Sequence, residues 1–176
     1  APIPVGGEAK EVVPTARTAQ VNWRYTLEEP PADWTKPGFD DSAWKEGPGG
    51  FGTQGTPGAI IGTEWNTKAI WLRREFTLPD RPLKHPRLLI LYDEDPAVYL
   101  NGVLAAKLAG WTGDYEEADI APPALARRKP GKNLMAVRAS QTWGGQSIDV
   151  GLAEDDTPPT GLDFHGDSRH PPRNRS

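Results

Sequence analysis

The most apolar segment of the chain, residues 88–92, is followed directly by three acidic residues. A short run of large apolar side chains is typical of a strand that is buried on both faces. Asp93, Glu94 and Asp95 are therefore expected to emerge together at one end of the fold. Residues 98–100 predict a second strand, which leads the chain away from that end.

Other segments alternate between apolar and polar positions, which is typical of strands with one buried face. Residues 22–27, 69–78 and 133–140 show this alternation, and Gly, Pro and Asn turns separate them. Asn101-Gly102 lies between two apolar runs and predicts a tight hairpin, because both central residues of such a turn need a positive φ. Together these patterns predict an all-β sandwich of roughly eight strands.

The composition agrees with short strands joined by many turns. Gly and Pro number 19 each among 176 residues, and 36% of the residues are hydrophobic. The net charge of −4 provides no basic surface, so nucleic acid is not an expected partner. No apolar run is long enough to span a membrane. The absence of cysteine excludes a disulfide framework and a thiol nucleophile.

The two ends of the chain differ from its middle. Residues 1–20 are small and polar, and we interpret them as a leader that can add an edge strand. Residues 21–153 carry the predicted strands of the sandwich. Residues 154–176 have almost no apolar content and are predicted to be a polar tail or linker. The chain begins with Ala1 rather than Met, so we interpret it as a processed or excised piece of a longer protein.

Six short motifs occur in a fixed order between residues 20 and 152. They are Trp23-x-Tyr25, Phe39-Asp40-Asp41-Ser42-x-Trp44, Gly50-Phe51-Gly52, Ile70-Trp71-Leu72-Arg73-Arg74-x-Phe76, Val98-Tyr99-Leu100-Asn101-Gly102 and Gly131-Lys132-Asn133. Their order and spacing resemble the galactose-binding-like β-sandwich that accompanies glycoside hydrolases. The resemblance is to the sugar-binding jelly-roll domain of β-galactosidase and β-glucuronidase relatives in particular.

The resemblance implies a jelly roll of two antiparallel sheets, often with a sugar-binding role and sometimes with a structural calcium. Domains of this group usually occur as modules of larger secreted enzymes, which implies an extracellular or periplasmic location. Some members bind no sugar and instead pack against a catalytic domain. Both a binding role and a structural role therefore remain open for this chain.

Catalysis by the chain itself is not expected. Glycoside hydrolysis needs an acid and a base or nucleophile on opposite sides of the bond, whereas adjacent carboxylates at a strand end diverge. None of the three histidines, His85, His165 and His170, is placed to be held as a general base. His165, Asp167 and His170 have a spacing that fits a metal site, but we interpret them as solvated residues of the tail.

Asp40 and Asp41 are the weak candidates for a structural calcium site, since calcium prefers clustered oxygen ligands. The interpretation we favour is that they cap a single helical turn that points Trp44 inward. No other cofactor is predicted.

The candidate ligand-binding residues are aromatic and polar side chains on loops that can meet at one end of the sandwich. Tryptophans in strands with apolar neighbours are expected in the core. Tryptophans in Gly-rich or polar loops can form a platform for a sugar ring, although each can also plug the end of the sandwich. The predicted ligand-binding residues are Trp65, Asn66, Asp93, Glu94, Asp95, Trp111, Tyr115, Glu116, Trp143 and Gln146.

The leading hypothesis is a non-catalytic carbohydrate-binding module of a secreted polysaccharide-active enzyme, with an oligo- or polysaccharide as ligand. The alternative is a structural accessory domain that docks onto the catalytic domain of its parent enzyme and binds no free ligand. Surface chemistry distinguishes the two. A binding module exposes aromatic side chains beside carboxylates, whereas a docking domain exposes a broad apolar patch.

Overall fold

A computed structural model describes residues 9–155, and within them the chain forms twelve strands. A single 3₁₀ turn, Ala32–Thr35, and a short helix α1, Pro122–Leu125, interrupt them. The strands are β1 Ala9–Val13, β2 Asn22–Thr26, β3 Lys45–Pro48, β4 Phe51–Gly52, β5 Thr63–Glu64, β6 Ala69–Leu78, β7 Arg87–Asp93, β8 Ala97–Leu100, β9 Val103–Lys107, β10 Glu116–Ala118, β11 Gly131–Ser140 and β12 Ser147–Asp155.

The strands form two sheets of six strands each, which confirms the predicted all-β fold of two antiparallel sheets. The first sheet has the order β10-β7-β12-β4-β5, and β1 pairs with the C-terminal half of β12. The second sheet has the order β3-β2-β6-β11-β8-β9. All pairs are antiparallel except β4 with β5. No helix in the described part of the chain is long and apolar enough to cross a membrane.

The main core lies between the two sheets, and β7 is buried on both of its faces. Leu88 and Ile90 belong to the main core, which also contains Ile70 and Leu72 of β6. Leu89 and Leu91 point the other way, into a second apolar cluster. The apolar run 88–92 therefore forms the doubly buried strand that its pattern predicts.

The hairpin between β8 and β9 has the predicted turn. Asn101 and Gly102 have φ values of 49° and 88°, so both occupy the left-handed region that such a turn requires. The Gly-rich segment 47–62 contains part of β3 and the whole of β4. The short strand β10 pairs with the middle of β7.

The segment between β2 and β3 covers the outer face of the second sheet and is anchored by Arg73. This buried guanidinium forms an ion pair of 2.8 Å with Asp41. It also donates to the carbonyls of Lys36 and Phe39, at 2.9 and 3.2 Å. Asp40 accepts the backbone N–H of Ser42, as a turn-capping residue does. Within residues 9–155, no group of three or more acidic or histidine side chains is arranged to hold a metal ion.

Residues on both sides of the predicted sandwich, 21–153, form strands of its first sheet. Part of the predicted leader forms β1, which pairs with β12, and β12 continues to Asp155. Glu154 is therefore a buried strand residue and not the start of a tail; its carboxylate pairs with Arg81 at 2.6 Å. Residues 1–8 and 156–176, including His165 and His170, lie outside the described residues.

The ion pair between Glu154 and Arg81 predicts a pH-dependent contribution to stability. The hydrogen bond from Arg81, with a backbone N–H of Lys84, lowers the pKa of Glu154 from 4.5 to about 2. The stabilisation should therefore be complete above about pH 4.5 and should be lost as the pH falls towards 2. We expect Glu154→Gln to lower the free energy of unfolding at pH 7, as measured by urea titration. A difference between the variant and the parent that persists unchanged at pH 2 would contradict this assignment.

Candidate functional site

Loops from both sheets meet at one end of the sandwich and enclose a cleft of about 320 Å³. The loop after β7 is held against the end of β11, because the backbones of Glu94 and Ser140 exchange two hydrogen bonds of 2.9 and 3.1 Å. A β-bridge between Asp93 and Trp111 brings the loop after β9 to the same place. The cleft is lined by Thr56, Pro57, Asp93, Glu94, Trp111, Thr112, Trp143, Gly144 and Gly145.

Two walls of the cleft are formed by tryptophans that are open to solvent. Trp111 is 69% exposed and Trp143 is 83% exposed. Exposing an indole forfeits the free energy that burial of its large apolar surface would provide, so it is not explained by folding alone. The structure thus brings together two of the predicted aromatic residues in positions where a ligand can reach them.

Asp93 and Glu94 contribute the carboxylates of the cleft. Glu94 accepts a hydrogen bond of 2.7 Å from the hydroxyl of Thr142. Within the described residues, no donor contacts the carboxylate of Asp93 at hydrogen-bonding distance, and it forms no ion pair. Partial burial, and then the charge of Glu94, raise the pKa of Asp93 above its usual value. Asp93 is therefore a hydrogen-bond acceptor that is free to serve a ligand.

Gly145 keeps the floor of the cleft open beside Asp93. A Cβ atom at this position would lie 3.0 Å from Oδ2 of Asp93 and 3.1 Å from Cγ2 of Thr56. Any larger residue would therefore push against the carboxylate and narrow the cleft. The absence of a side chain here gives a ligand access to Asp93.

Gln146 lies beneath the cleft and joins its loops to one another. Its side chain donates to the carbonyl of Thr67 at 2.7 Å, and its backbone N–H donates to the hydroxyl of Thr56 at 3.1 Å. Gln146 is only 4% exposed. We predicted that its amide would bind ligand hydroxyls, but these contacts give it a positioning role instead.

Three other predicted ligand residues lie outside the cleft. Trp65 is 1% exposed and belongs to the main core, so it plugs the sandwich and cannot form a platform. Asn66 is exposed, and its amide bonds to Glu64 at 3.2 Å. The carboxylate of Asp95 turns back to accept the backbone N–H of Gly110 at 2.6 Å, which closes the loop after β7.

Tyr115 and Glu116 also lie away from the cleft. Tyr115 is buried, and its hydroxyl donates to the carboxylate of Asp149. Burial, and then the negative charge of Asp149, raise the pKa of Tyr115 well above its usual value, so it remains a donor. Glu116 is exposed on β10 and lines a separate groove along β7, β9 and β10. The prediction that these two residues share one site with Trp111 is not supported by their positions.

The structural role of Tyr115 leads to a prediction that separates it from ligand binding. Tyr115→Phe removes one of the two donors to Asp149, the other being the backbone N–H of Ala16 at 2.9 Å. We expect the free energy of unfolding to fall by about 1–3 kcal/mol, because a buried carboxylate loses a partner. Binding through the cleft should not change. If Tyr115→Phe instead loses ligand affinity while its stability stays that of the parent, Tyr115 contacts the ligand and has no structural role.

The sequence pattern did not single out Thr56, Pro57 and Thr112 as lining residues. Thr56 and Pro57 lie in the long segment between β4 and β5, and long connections of this kind are often functional. Thr112 is buried and exchanges hydrogen bonds with the backbone of Tyr92, at 2.8 and 3.1 Å. Such contacts depend on the tertiary fold, so local sequence could not reveal them.

Comparisons with known proteins place this fold among parts of larger glycosidases. No protein-family profile matches the chain. Among curated proteins, an α-L-rhamnosidase of Streptomyces avermitilis is 28% identical over 148 residues, which cover 71% of this chain and 12% of the rhamnosidase.

Solved structures show the same relation. A glycosyl hydrolase family 2 member from Bacteroides cellulosilyticus aligns with a TM-score of 0.51 and 17% identity, over 74% of this chain and 20% of that one. A β-glycosidase from Bacteroides vulgatus aligns with the same TM-score and identity, over 84% of this chain and 20% of its own. At this level of identity the likeness concerns the fold. The chain thus shares the fold of one part of such enzymes, and it spans a fifth or less of each.

Proposed function

We propose that this chain is a non-catalytic carbohydrate-binding module of a larger, secreted glycoside hydrolase, located outside the cell or in the periplasm. The observation that carries the proposal is the exposure of Trp111 and Trp143 beside the carboxylates of Asp93 and Glu94 in one cleft. The similarity to part of an α-L-rhamnosidase and to parts of family 2 glycosidases supports the same proposal.

The chemistry of the cleft suits a sugar ring. The face of a pyranose carries C–H groups, which pack on the flat and electron-rich face of an indole. The ring's edge carries hydroxyl groups, which donate to carboxylates in charge-assisted hydrogen bonds. Trp111 and Trp143 would supply the flat surfaces and Asp93 the free acceptor. Glu94, already bonded to Thr142, would supply its remaining lone pairs.

Binding should be weak because the cleft is open and shallow. Few groups become ordered and little area is buried, so we expect dissociation constants of roughly micromolar to millimolar. Such affinity suits a module that holds an enzyme near a polymer, where many equivalent sites are available.

The arrangement of carboxylates does not favour catalysis in the cleft. Asp93 and Glu94 are consecutive residues of one loop, and they are the only acidic residues among those that line the cleft. A glycosidase pair instead faces the bond from two sides, about 5–9.5 Å apart. We therefore assign hydrolysis to another part of the parent enzyme.

The alternative role, docking onto a catalytic domain without binding a sugar, rests on the small share of each glycosidase that the chain spans. Within residues 9–155, the exposed large hydrophobic side chains besides Trp111 and Trp143 are Leu27, Ile60 and Leu104. They lie on different segments, after β2, between β4 and β5, and on β9. A broad apolar patch would have favoured docking.

A glycan array probed with the whole chain tests the proposal. We expect binding to one class of oligo- or polysaccharide that the same soluble glycan competes away. A circular dichroism spectrum dominated by β structure should accompany the array, to show that the protein is folded. Folded protein that binds no glycan at millimolar concentration would favour the docking role.

A further inference from the structure

We infer that the cleft selects its sugars by charge, accepting neutral pyranosides and excluding those that carry a carboxylate. This inference rests on the proposed function, because it concerns the ligand of the same cleft.

The charges that line the cleft all have the same sign. Of its nine lining residues, Asp93 and Glu94 are acidic and none is Lys, Arg or His. Recognition of a uronate carboxylate typically uses the paired N–H donors of Arg or the ammonium group of Lys. Without either, a uronate in this cleft would face two carboxylates and no counter-charge.

Neither carboxylate is neutralised by a partner within the described residues. Glu94 accepts from the uncharged hydroxyl of Thr142, and neither acid takes part in an ion pair. The raised pKa of Asp93 has the negative charge of Glu94 as its second cause, after burial. The two charges therefore already repel one another before any ligand arrives, and a third negative charge would add to the repulsion.

Cationic side chains are instead collected at the opposite end of the sandwich. A pocket there is lined by Arg81, Arg128 and Lys129, among other residues. It lies where β6 ends and β11 begins, whereas the cleft lies where β6 begins and β11 ends. A negatively charged sugar is attracted to that cationic pocket more than to the acidic cleft. A test of selectivity must therefore measure binding at the cleft separately from binding at the pocket.

The experiment uses methyl pyranosides of glucose, galactose and mannose, each paired with its own uronic acid. Affinities for the whole chain are measured by NMR titration at neutral pH and low ionic strength, where exposed charges are least screened. The same titrations are carried out on the Trp111→Ala/Trp143→Ala double variant, which keeps the cationic pocket but lacks both indoles of the cleft. The signal changes of this variant are subtracted from those of the parent, so that only binding in the cleft remains. We expect each bound neutral sugar to exceed its uronic acid in affinity by about tenfold.

Two single variants with the same change in net charge sharpen the test. Asp93→Asn should reduce the ratio of neutral to uronate affinity to about threefold or less, because one of the two repelling charges is gone. Glu75→Gln should leave the ratio unchanged. Glu75 is exposed and pairs with Leu134, six positions along β11 from Ser140 and thus about 20 Å from the cleft. Raising the salt concentration should narrow the ratio in the parent protein.

The outcomes distinguish this inference from the proposed function. A uronic acid that binds in the cleft as tightly as its neutral partner, or more tightly, would overturn the charge selectivity and leave the binding module intact. The charge selectivity is also overturned if Asp93→Asn has the same ratio of neutral to uronate affinity as the parent. If neither these sugars nor any glycan on the array binds the folded protein, the proposed function fails and the charge selectivity fails with it.

Discussion

Replacing Trp65 by Ala is expected to lower the free energy of unfolding by about 3–5 kcal/mol, the largest loss of stability that we predict for a single aromatic residue. Trp65 is 1% exposed and lies in the main core, so its removal leaves a large cavity between the sheets. Urea denaturation followed by circular dichroism measures the change, provided that the slope of the transition stays that of the parent.

Trp143→Ala is the matched control for this variant. Trp143 is a tryptophan of the same end of the fold but is 83% exposed, so its loss should change stability by no more than about 0.5 kcal/mol. If both variants lose stability equally, Trp143 is buried by contacts that the structure does not show. If neither loses stability, Trp65 does not plug the core.

The second large effect concerns ligand binding. Trp111→Ala and Trp143→Ala should each weaken the affinity for the glycan found on the array by about tenfold or more, because each removes a stacking surface. Both variants should fold, since neither indole is part of a buried cluster. Calorimetric titration against that glycan measures the loss, and Leu104→Ala, an exposed apolar residue on β9, serves as the control.

A different distribution of losses would relocate the site. If both tryptophan variants and Leu104→Ala all bind as well as the parent, the glycan lies outside the cleft, and the groove formed by β7, β9 and β10 is the next candidate. That groove has a volume of about 570 Å³, is lined by Glu116 and is not lined by Leu104. If the glycan binds in that groove, Glu116 is the one of the ten predicted ligand-binding residues that lines it as an acidic side chain.

The fold could be predicted because its signals are local. Ten residues of alternating pattern define β6 from Ala69 to Leu78, and the continuous apolar run defines the buried β7. The Asn101-Gly102 turn fixes how β8 and β9 pair. Strand ends were harder to predict, since Glu154 follows the apolar residues of β12 and its carboxylate is held by Arg81 and Lys84 of another loop.

The site could be predicted only in part, because burial of a loop side chain depends on distant residues. Trp65 and Trp111 both lie in polar or Gly-rich surroundings, yet the backbone N–H of Trp65 bonds to the carbonyl of Gly52 at 2.9 Å, which fixes it beside β4. Tyr115 is held by Asp149, 34 residues away. The amide of Gln146 is held by Thr67, 79 residues away. No local pattern contains these partners.

The central claim, that a glycan binds between Trp111 and Trp143, is tested most directly by the indole N–H signals of the seven tryptophans in a ¹⁵N NMR spectrum. Replacing each tryptophan by Phe in turn assigns the signals. On addition of the glycan found on the array, we predict that the signals of Trp111 and Trp143 shift in proportion to occupancy, while that of the buried Trp65 stays in place. Saturable glycan binding that leaves both the Trp111 and the Trp143 signals unmoved would contradict the account.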